Sequence, residues 1–168
     1  MYKSINKNFS LYLIILFCFG VFFLNEKHIV ENDSTISEWL INYSGGFTKR
    51  GLVGHICVFF ANFFEINLRD SILIFQLIIF SVYFLLLYFF FKKIKMNKLM
   101  ILAVFSPIFI LYPIAEIEVL ARKELFIFCV FIAYLNIKNN FKRMIYKIIL
   151  LPIAILIWEP MIFFLPFW

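Results

Sequence analysis

The chain has 168 residues, of which 64% are hydrophobic and 15% are charged, and its mean hydropathy is +0.96. A soluble domain is about half apolar and about a quarter charged, and a chain of this size exposes much of its surface to the solvent. The composition therefore excludes a soluble enzyme, a disordered tail and a disulfide-rich secreted module. It predicts an all-α, polytopic membrane protein. The net charge of +6 is explained by the positive-inside rule, so we expect no nucleic-acid partner.

The N-terminal segment predicts a first membrane helix rather than a cleaved leader. Lys3 and Lys7 precede an apolar run over residues 9–24, which has the layout of a signal peptide. Bulky residues occupy positions 22–24, where a signal peptide would carry a small-x-small cleavage site. The three cysteines lie in apolar stretches without the spacing of a metal site, so we interpret them as packing residues.

Residues 25–70 are predicted to form one large outer loop that contains short helices. Thr35 and Glu38 fit a capping box, and an apolar stripe at helical spacing follows. The members of this stripe are Ile36, Trp39, Leu40 and Tyr43. Because Trp and Tyr favour the membrane interface, we expect a helix over residues 36–43 that lies on the outer leaflet. The Gly-Gly pair that follows is expected to end this helix.

A glycine-rich stretch in this loop predicts a binding site for phosphate. Four of the five glycines fall within residues 45–54, where they surround a Lys-Arg pair and open a re-entrant or interfacial helix over residues 51–64. Backbone amides, paired cations and a helix N-terminus all favour anions. The predicted phosphate-binding residues of this stretch are Gly46, Lys49, Arg50, Gly51 and His55. The alternative is a snorkelling Lys-Arg pair that binds lipid headgroups without specificity.

Four further spans are predicted at residues 71–91, 99–115, 120–137 and 148–168. Five charged residues lie within residues 116–124, which connect the third of the five spans to the apolar part of the fourth. This connection is either a solvated link with a helical Glu118–Arg122 ion pair, or a segment that joins Arg122 and Lys123 to Lys49 and Arg50 in one anion pocket.

The distribution of charges predicts the orientation of these five spans. With the N-terminus in the cytoplasm, ten Lys and Arg residues face inward, six face outward, and all ten acidic residues lie on the outer side. A crossing at residues 51–64 would move the basic cluster at 92–98 to the outside, and we reject it. The sequence therefore predicts a single multi-pass membrane domain over residues 1–168, with the lipid bilayer as a partner.

Glu159 is the most informative residue of the last predicted span. In one continuous helix over residues 148–168 it would lie near the middle of the bilayer, where a bare carboxylate is costly. Pro160 disfavours helix at Glu159. The helix is therefore expected either to break there beside a protein-lined cavity or to end at Trp158 with Glu159 at the outer interface. Because the chain stops on an apolar segment, we expect it to be the N-terminal part of a longer protein.

Three short motifs resemble a family of poorly characterised bacterial inner-membrane proteins from surface-polysaccharide loci. Residues 46–54 resemble its G-F-x-x-R-G-L-x-G stretch, and residues 122–124 are similar to its R-K-[DE] motif. Residues 158–166 are similar to its H-E-x-x-x-F-F-x-P segment, with Trp158 in place of the His. The large first outer loop also resembles, at the level of the fold, that of the GT-C-like glycosyltransferases that use lipid-linked sugars.

The resemblance implies a role in surface-polysaccharide assembly at the bacterial inner membrane. The expected substrate is a polyprenyl-phosphate-linked glycan, handled at the outer face by a glycosyltransferase- or polymerase-like activity. The candidate catalytic acids or bases are Asp33, Glu38 and Glu159. The candidate residues for the leaving phosphate also include Arg122 and Lys123.

Two alternatives to this function stay open at the level of the sequence. One is a transporter or flippase component, and the other is a non-catalytic membrane subunit or fragment. Other membrane proteins of polysaccharide assembly are expected partners. We predict no cofactor, and the sequence leaves the use of a divalent metal open.

Overall fold

The computed structural model describes residues 2–29, 34–94, 97–104, 106 and 120–167. In this part of the chain all regular structure is helical, which confirms the predicted all-α class. The α-helices are α1 (Tyr2–Ile29), α2 (Ser34–Leu40), α3 (Gly51–Phe64), α4 (Leu68–Lys92), α5 (Lys98–Val104), α6 (Glu124–Asn136) and α7 (Asn140–Ile157). A 3₁₀ helix follows at Glu159–Phe167.

Two of these helices are long and apolar enough to cross a membrane. They are Asn8–Ile29 within α1, with 22 residues and a hydropathy of 2.0, and α4, with 25 residues and a hydropathy of 2.5. At 1.5 Å per residue they are about 33 Å and about 37 Å long, and a bilayer core is about 30 Å thick.

Helices α1 and α4 pack against each other in opposite directions. The rings of Phe9 and Phe91 lie 5.2 Å apart at one end of the pair. In the middle, Gly20 lets the ring of Phe80 approach the backbone of α1, because a Cβ at Gly20 would overlap that ring. At the other end, His28 Nε2 lies 2.7 Å from Gln76 Oε1.

Helix α6 runs in the same direction as α4, and α7 returns along it. Gln76 donates a hydrogen bond of 3.3 Å to the carbonyl oxygen of Ala121, and Lys93 donates one of 2.7 Å to Asn136 Oδ1. These two contacts pair the turn before α6 with the first half of α4, and the end of α6 with the residue that follows α4. The hydroxyl of Tyr146 on α7 then donates to a carbonyl oxygen of α6.

Helix α2 differs from its predicted range of 36–43. It begins at Ser34 and ends at Leu40, so Thr35, whose side chain lies outside the described residues, is not at the cap position. The Asn42 side chain donates to the Leu40 carbonyl oxygen and accepts from the Ser44 amide. Asn42 therefore ends the helix by offering the backbone local hydrogen bonds, ahead of the glycine pair.

The apolar stripe of α2 faces other helices rather than the outer leaflet alone. Ile36 and Trp39 are buried with Val53 and Cys57 of α3 and with Ile72 of α4. Helix α3 spans the predicted residues 51–64, and Ser71 of α4 donates a hydrogen bond of 3.0 Å to its Cys57 carbonyl oxygen. The predicted outer loop is therefore a packed helical layer beside the first turns of α4.

The fourth predicted span, residues 120–137, is shorter in the structure. Ala121 has a φ of 55° in the left-handed region, so the chain turns there and α6 begins only at Glu124. Helix α5 begins the third predicted span, 99–115, but residues 107–119, including Glu116 and Glu118, lie outside the described residues.

The fifth predicted span, 148–168, is wrong as a continuous helix. Helix α7 begins eight residues earlier, at Asn140, because the Asn139 side chain accepts hydrogen bonds from the amides that follow it. It ends at Ile157, Trp158 is extended, and the 3₁₀ helix begins at Glu159. The sequence signal of Pro160 correctly indicates this break.

The packing directions define two ends of the helix assembly. The basic end holds the end of α4, the end of α6 and the start of α7, and no acidic residue among those described. The opposite end, called the site end below, holds every described acidic residue. These are Glu26, Glu38, Glu65, Asp70, Glu124 and Glu159.

Candidate functional site

Charged residues from four separate segments meet at the site end. They come from α2, from the loop before α3, from the turn before α6 and from the start of the 3₁₀ helix. We call them the charged cluster, whose members are Glu38, Lys49, Arg50, Arg122, Lys123, Glu124 and Glu159. Six of these seven were candidates from the sequence alone.

Arg122 connects α2 to the start of α6. Its guanidinium donates a hydrogen bond of 2.7 Å to Glu38 Oε1 and lies 3.5 Å from Glu124 Oε1. Arg122 follows the left-handed turn at Ala121 and precedes α6, and Glu118, its predicted ion-pair partner, lies outside the described residues. Arg122 and Glu38 are both about one-third exposed, and their ion pair borders the solvent.

Lys123 is the buried cation of the cluster. Its side chain is 1% exposed, and Nζ donates a hydrogen bond of 2.7 Å to the carbonyl oxygen of Arg50. Burial lowers the pKa of Lys123 to about 8, against an opposing attraction from Glu38. Lys123 therefore ties the loop before α3 to the turn before α6.

Lys49 and Glu159 form the outer edge of the cluster. Lys49 Nζ lies 4.0 Å from Glu159 Oε2, and the Lys49 side chain is 81% exposed. The other carboxylate oxygen, Glu159 Oε1, is buried and has no hydrogen-bond partner among the described residues. The helix break thus presents a carboxylate with one oxygen beside an exposed cation and one oxygen able to accept a further hydrogen bond.

The glycine-rich loop is held in a conformation that depends on its glycines. Gly46 has a φ of 114°, which L-residues rarely adopt. Gly54 packs against the carbonyl groups of Trp39 and Ile41 so closely that a Cβ would overlap them. Gly51 is buried against Tyr43. The first turn of α3 is therefore covered by α2 and the loop, and Gly46 is the exposed member.

His55 lies in an aromatic layer beside the charged cluster. Its ring lies 5.6 Å from that of Tyr43, and Phe47 stacks on Tyr43 at the same distance. Among the described residues, no hydrogen bond or ion pair joins His55 to the charged cluster. Asp33, the remaining candidate acid, lies outside the described residues.

Two residues near the site were not candidates from the sequence. Glu124 lies in the charged connection that the sequence revealed, and in the structure its carboxylate lies 3.5 Å from the Arg122 guanidinium. Trp39 is 1% exposed, and its Nε1 has no hydrogen-bond partner among the described residues. Its place in the apolar stripe indicated only packing, because a sequence pattern does not show which polar atoms stay unpaired.

Neither thiol nor metal chemistry is indicated at this site. Cys57 of α3 is fully buried, and this burial raises the pKa of its thiol to about 11, so it is not a thiolate near neutral pH. Within the described residues, no three His, Cys, Asp or Glu side chains form a group able to hold a metal ion.

Comparison with protein-family models, with curated proteins and with solved structures finds no match for this chain. The fold and the site define its class directly. It is an all-helical protein with two helices long and apolar enough to cross a membrane. It carries a mixed cluster of acids and cations at one end of those helices.

Proposed function

We propose that this protein is a multi-pass inner-membrane protein of surface-polysaccharide assembly that acts on a polyprenyl-phosphate-linked sugar. The site end faces the outer side, and the activity is that of a glycosyltransferase or glycan polymerase. The observation that carries the proposal is the charged cluster, in which cations able to hold a phosphate lie beside a carboxylate able to accept a proton.

The cations divide into two kinds. Lys49 is exposed and contacts the cluster only at 4.0 Å, so it is free to move onto a phosphate oxygen. Lys123 is buried and fixed by its hydrogen bond to Arg50, so it contributes a stationary positive charge. A developing charge on the leaving phosphate is stabilised best by groups that are already in position.

Of the two candidate acids that the structure describes, Glu38 and Glu159, Glu159 is the better-placed base. Glu38 Oε1 already accepts a hydrogen bond of 2.7 Å from Arg122, so this oxygen has a partner within the protein. Glu159 Oε1 has no such partner among the described residues. In the proposed step Glu159 takes the proton of an acceptor hydroxyl, the hydroxyl oxygen attacks the anomeric carbon, and the bond from that carbon to the phosphate oxygen breaks.

The first test is glycan elongation in cells that carry substituted proteins. We expect Glu159→Gln and Arg50→Ala to abolish elongation while both proteins still insert in the membrane. Lys142→Ala, an exposed change at the basic end, is the matched control and should elongate normally. Normal elongation by Glu159→Gln or by Arg50→Ala would overturn the assignment.

A transporter component is the second candidate, because the helix break between Ile157 and Glu159 places an acid at the interruption. The distinguishing measurement is flux of the lipid-linked sugar in vesicles. Proton-dependent flux that is lost in Glu159→Gln, together with no glycosyl transfer by the native protein, would favour transport over transfer.

A further inference from the structure

A second feature lies at the opposite end from the charged cluster. A cavity of about 520 Å³ runs between α1 and α4, within the volume range of about 300–1,000 Å³ that is typical of ligand sites. Its walls are mostly apolar, with Phe17 and Leu85 among them, and its polar members are Ser10, Ser81 and Tyr88. The Ser81 hydroxyl donates to the Leu77 carbonyl oxygen of its own helix, so it presents little polarity to a ligand.

The cavity continues to a cation at the basic end. A smaller cavity, of about 70 Å³, is lined by Phe9, Ser10, Tyr88 and Lys92, and it shares Ser10 and Tyr88 with the larger one. Lys92 Nζ lies 5.7 Å from the centre of the Tyr88 ring. The two cavities therefore form one groove, apolar along its length and positively charged at its mouth.

The length of the groove fits a chain rather than a compact molecule. Eleven residues of α4 separate Ser81 from Lys92, which corresponds to about 16 Å along the helix. Leu85 on the rim of the groove is 56% exposed. A flexible apolar chain can enter such a groove from the side, within the bilayer.

We infer that this groove binds one acyl chain of an anionic membrane phospholipid, with its phosphate at Lys92. Charge complementarity selects this occupant, because the groove ends at a cation and the basic end has no acidic residue among those described. Basic residues at a membrane surface attract anionic headgroups. A second copy of the chain or an apolar partner helix would leave that charge unmatched.

The site is separate from the charged cluster. Gln76, which contacts the turn before α6, lies 16 residues before Lys92 at the mouth of the groove, or about 24 Å along the helix. The groove begins at Ser81, and its lining includes no residue of the charged cluster. The inference therefore stands without the proposed glycosyl transfer, and variants in the groove leave the residues of the charged cluster unchanged.

The test uses the full chain in vesicles with spin-labelled phosphatidylglycerol as the probe. We expect the native protein to immobilise this lipid in preference to spin-labelled phosphatidylethanolamine. Ser81→Phe, which fills the groove, should remove that preference, whereas Ile78→Phe, an exposed position on the same helix outside the groove, should keep it. Lys92→Gln should weaken the binding of phosphatidylglycerol by about fivefold, and Lys138→Gln, at the same end but outside the groove, should not.

Several outcomes would overturn the inference. Equal immobilisation of phosphatidylglycerol and phosphatidylethanolamine by the native protein would show that the groove does not distinguish the charge of the headgroup. Unchanged binding in Ser81→Phe, with native helix content by circular dichroism, would show that the groove is not the site. Displacement of the probe by polyprenyl phosphate but not by unlabelled phosphatidylglycerol would assign the groove to a different lipid.

Discussion

The two ends of this molecule use the same cationic residue types in opposite ways. At the site end, Lys123 is buried against the Arg50 carbonyl oxygen and Arg122 is paired with Glu38. At the basic end, Lys92 is exposed, and its described contact is the face of the Tyr88 ring.

The difference lies in what surrounds each cation. A cation fixed by backbone and carboxylate groups is preorganised, and its position is set before any ligand arrives. An exposed cation on a long side chain is screened and adapts to the headgroups around it. Under the proposed function, the fixed cations of the site end suit one anion in a set position, and the exposed Lys92 suits the headgroups of a membrane surface.

The largest expected effect concerns the packing that supports the site end. We expect Gly54→Ala to lower the free energy of unfolding by about 3 kcal/mol, because the new methyl group overlaps the carbonyl groups of Trp39 and Ile41. Gly45→Ala is the control, since a Cβ there meets no atom within 4 Å. Denaturant titration in detergent measures both, and equal stabilities would mean that α2 does not hold the loop as described.

The second prediction compares one buried and one exposed lysine. At pH 10, where Lys123 is uncharged in the folded state, Lys123→Met should destabilise the protein by about 2 kcal/mol, since it leaves the half-buried Arg50 carbonyl oxygen without its donor. Lys142→Met at the basic end should have no measurable effect. Denaturant titration in detergent measures the free energy of unfolding of both variants. Equal destabilisation by the two substitutions would contradict the difference between a buried lysine at the site end and an exposed one at the basic end.

The third prediction uses pH. The pKa of Lys123 is lowered to about 8 in the folded state from an ordinary value of 10.5, so between these values the unfolded state holds more protons. The contribution of Lys123 to stability therefore rises with pH across this window, by about 1 kcal/mol per pH unit, and the penalty for its charge is fully present below pH 8. From pH 7 to pH 10, the unfolding midpoint of the native protein should therefore rise relative to that of Lys123→Met. Parallel pH profiles of the two proteins would contradict this prediction.

The smallest expected effect separates two pairwise contacts. A double-mutant cycle of Glu38→Gln and Arg122→Gln should give a coupling of about 1 kcal/mol, because the ion pair is short but partly exposed. The matching cycle of Lys92→Gln and Tyr88→Leu at the basic end should give about 0.5 kcal/mol. A larger coupling energy for Lys92 and Tyr88 than for Glu38 and Arg122 would contradict this prediction.

The sequence predicted much of the fold, and its errors have local causes. Helix α3 has its predicted bounds, and the break before Glu159 follows from Pro160. The late start of α6 was missed because Ala121 is a good helix former that adopts a left-handed conformation here. The early end of α2 was missed because a glycine pair is a stronger stop signal in a sequence than Asn42.

For the candidate site, too, the sequence predicted some features and missed others. Composition by itself predicted a membrane protein, because too few polar residues exist to cover a soluble surface, and it left only a few charged residues as candidates. The structure contains two helices long and apolar enough to cross a membrane. The sequence also predicted how the charged residues divide between the two ends, because most Lys and Arg residues and all acidic residues lie in different connections between the apolar segments.

Only the tertiary structure decided which of these residues meet. Lys123 contacts Arg50 across 73 positions, and Arg122 contacts Glu38 across 84. Lys49 reaches Glu159 only because α7 returns to the site end before its break. Contacts at such separations depend on the packing of whole helices against one another, and no local pattern of residues encodes that packing.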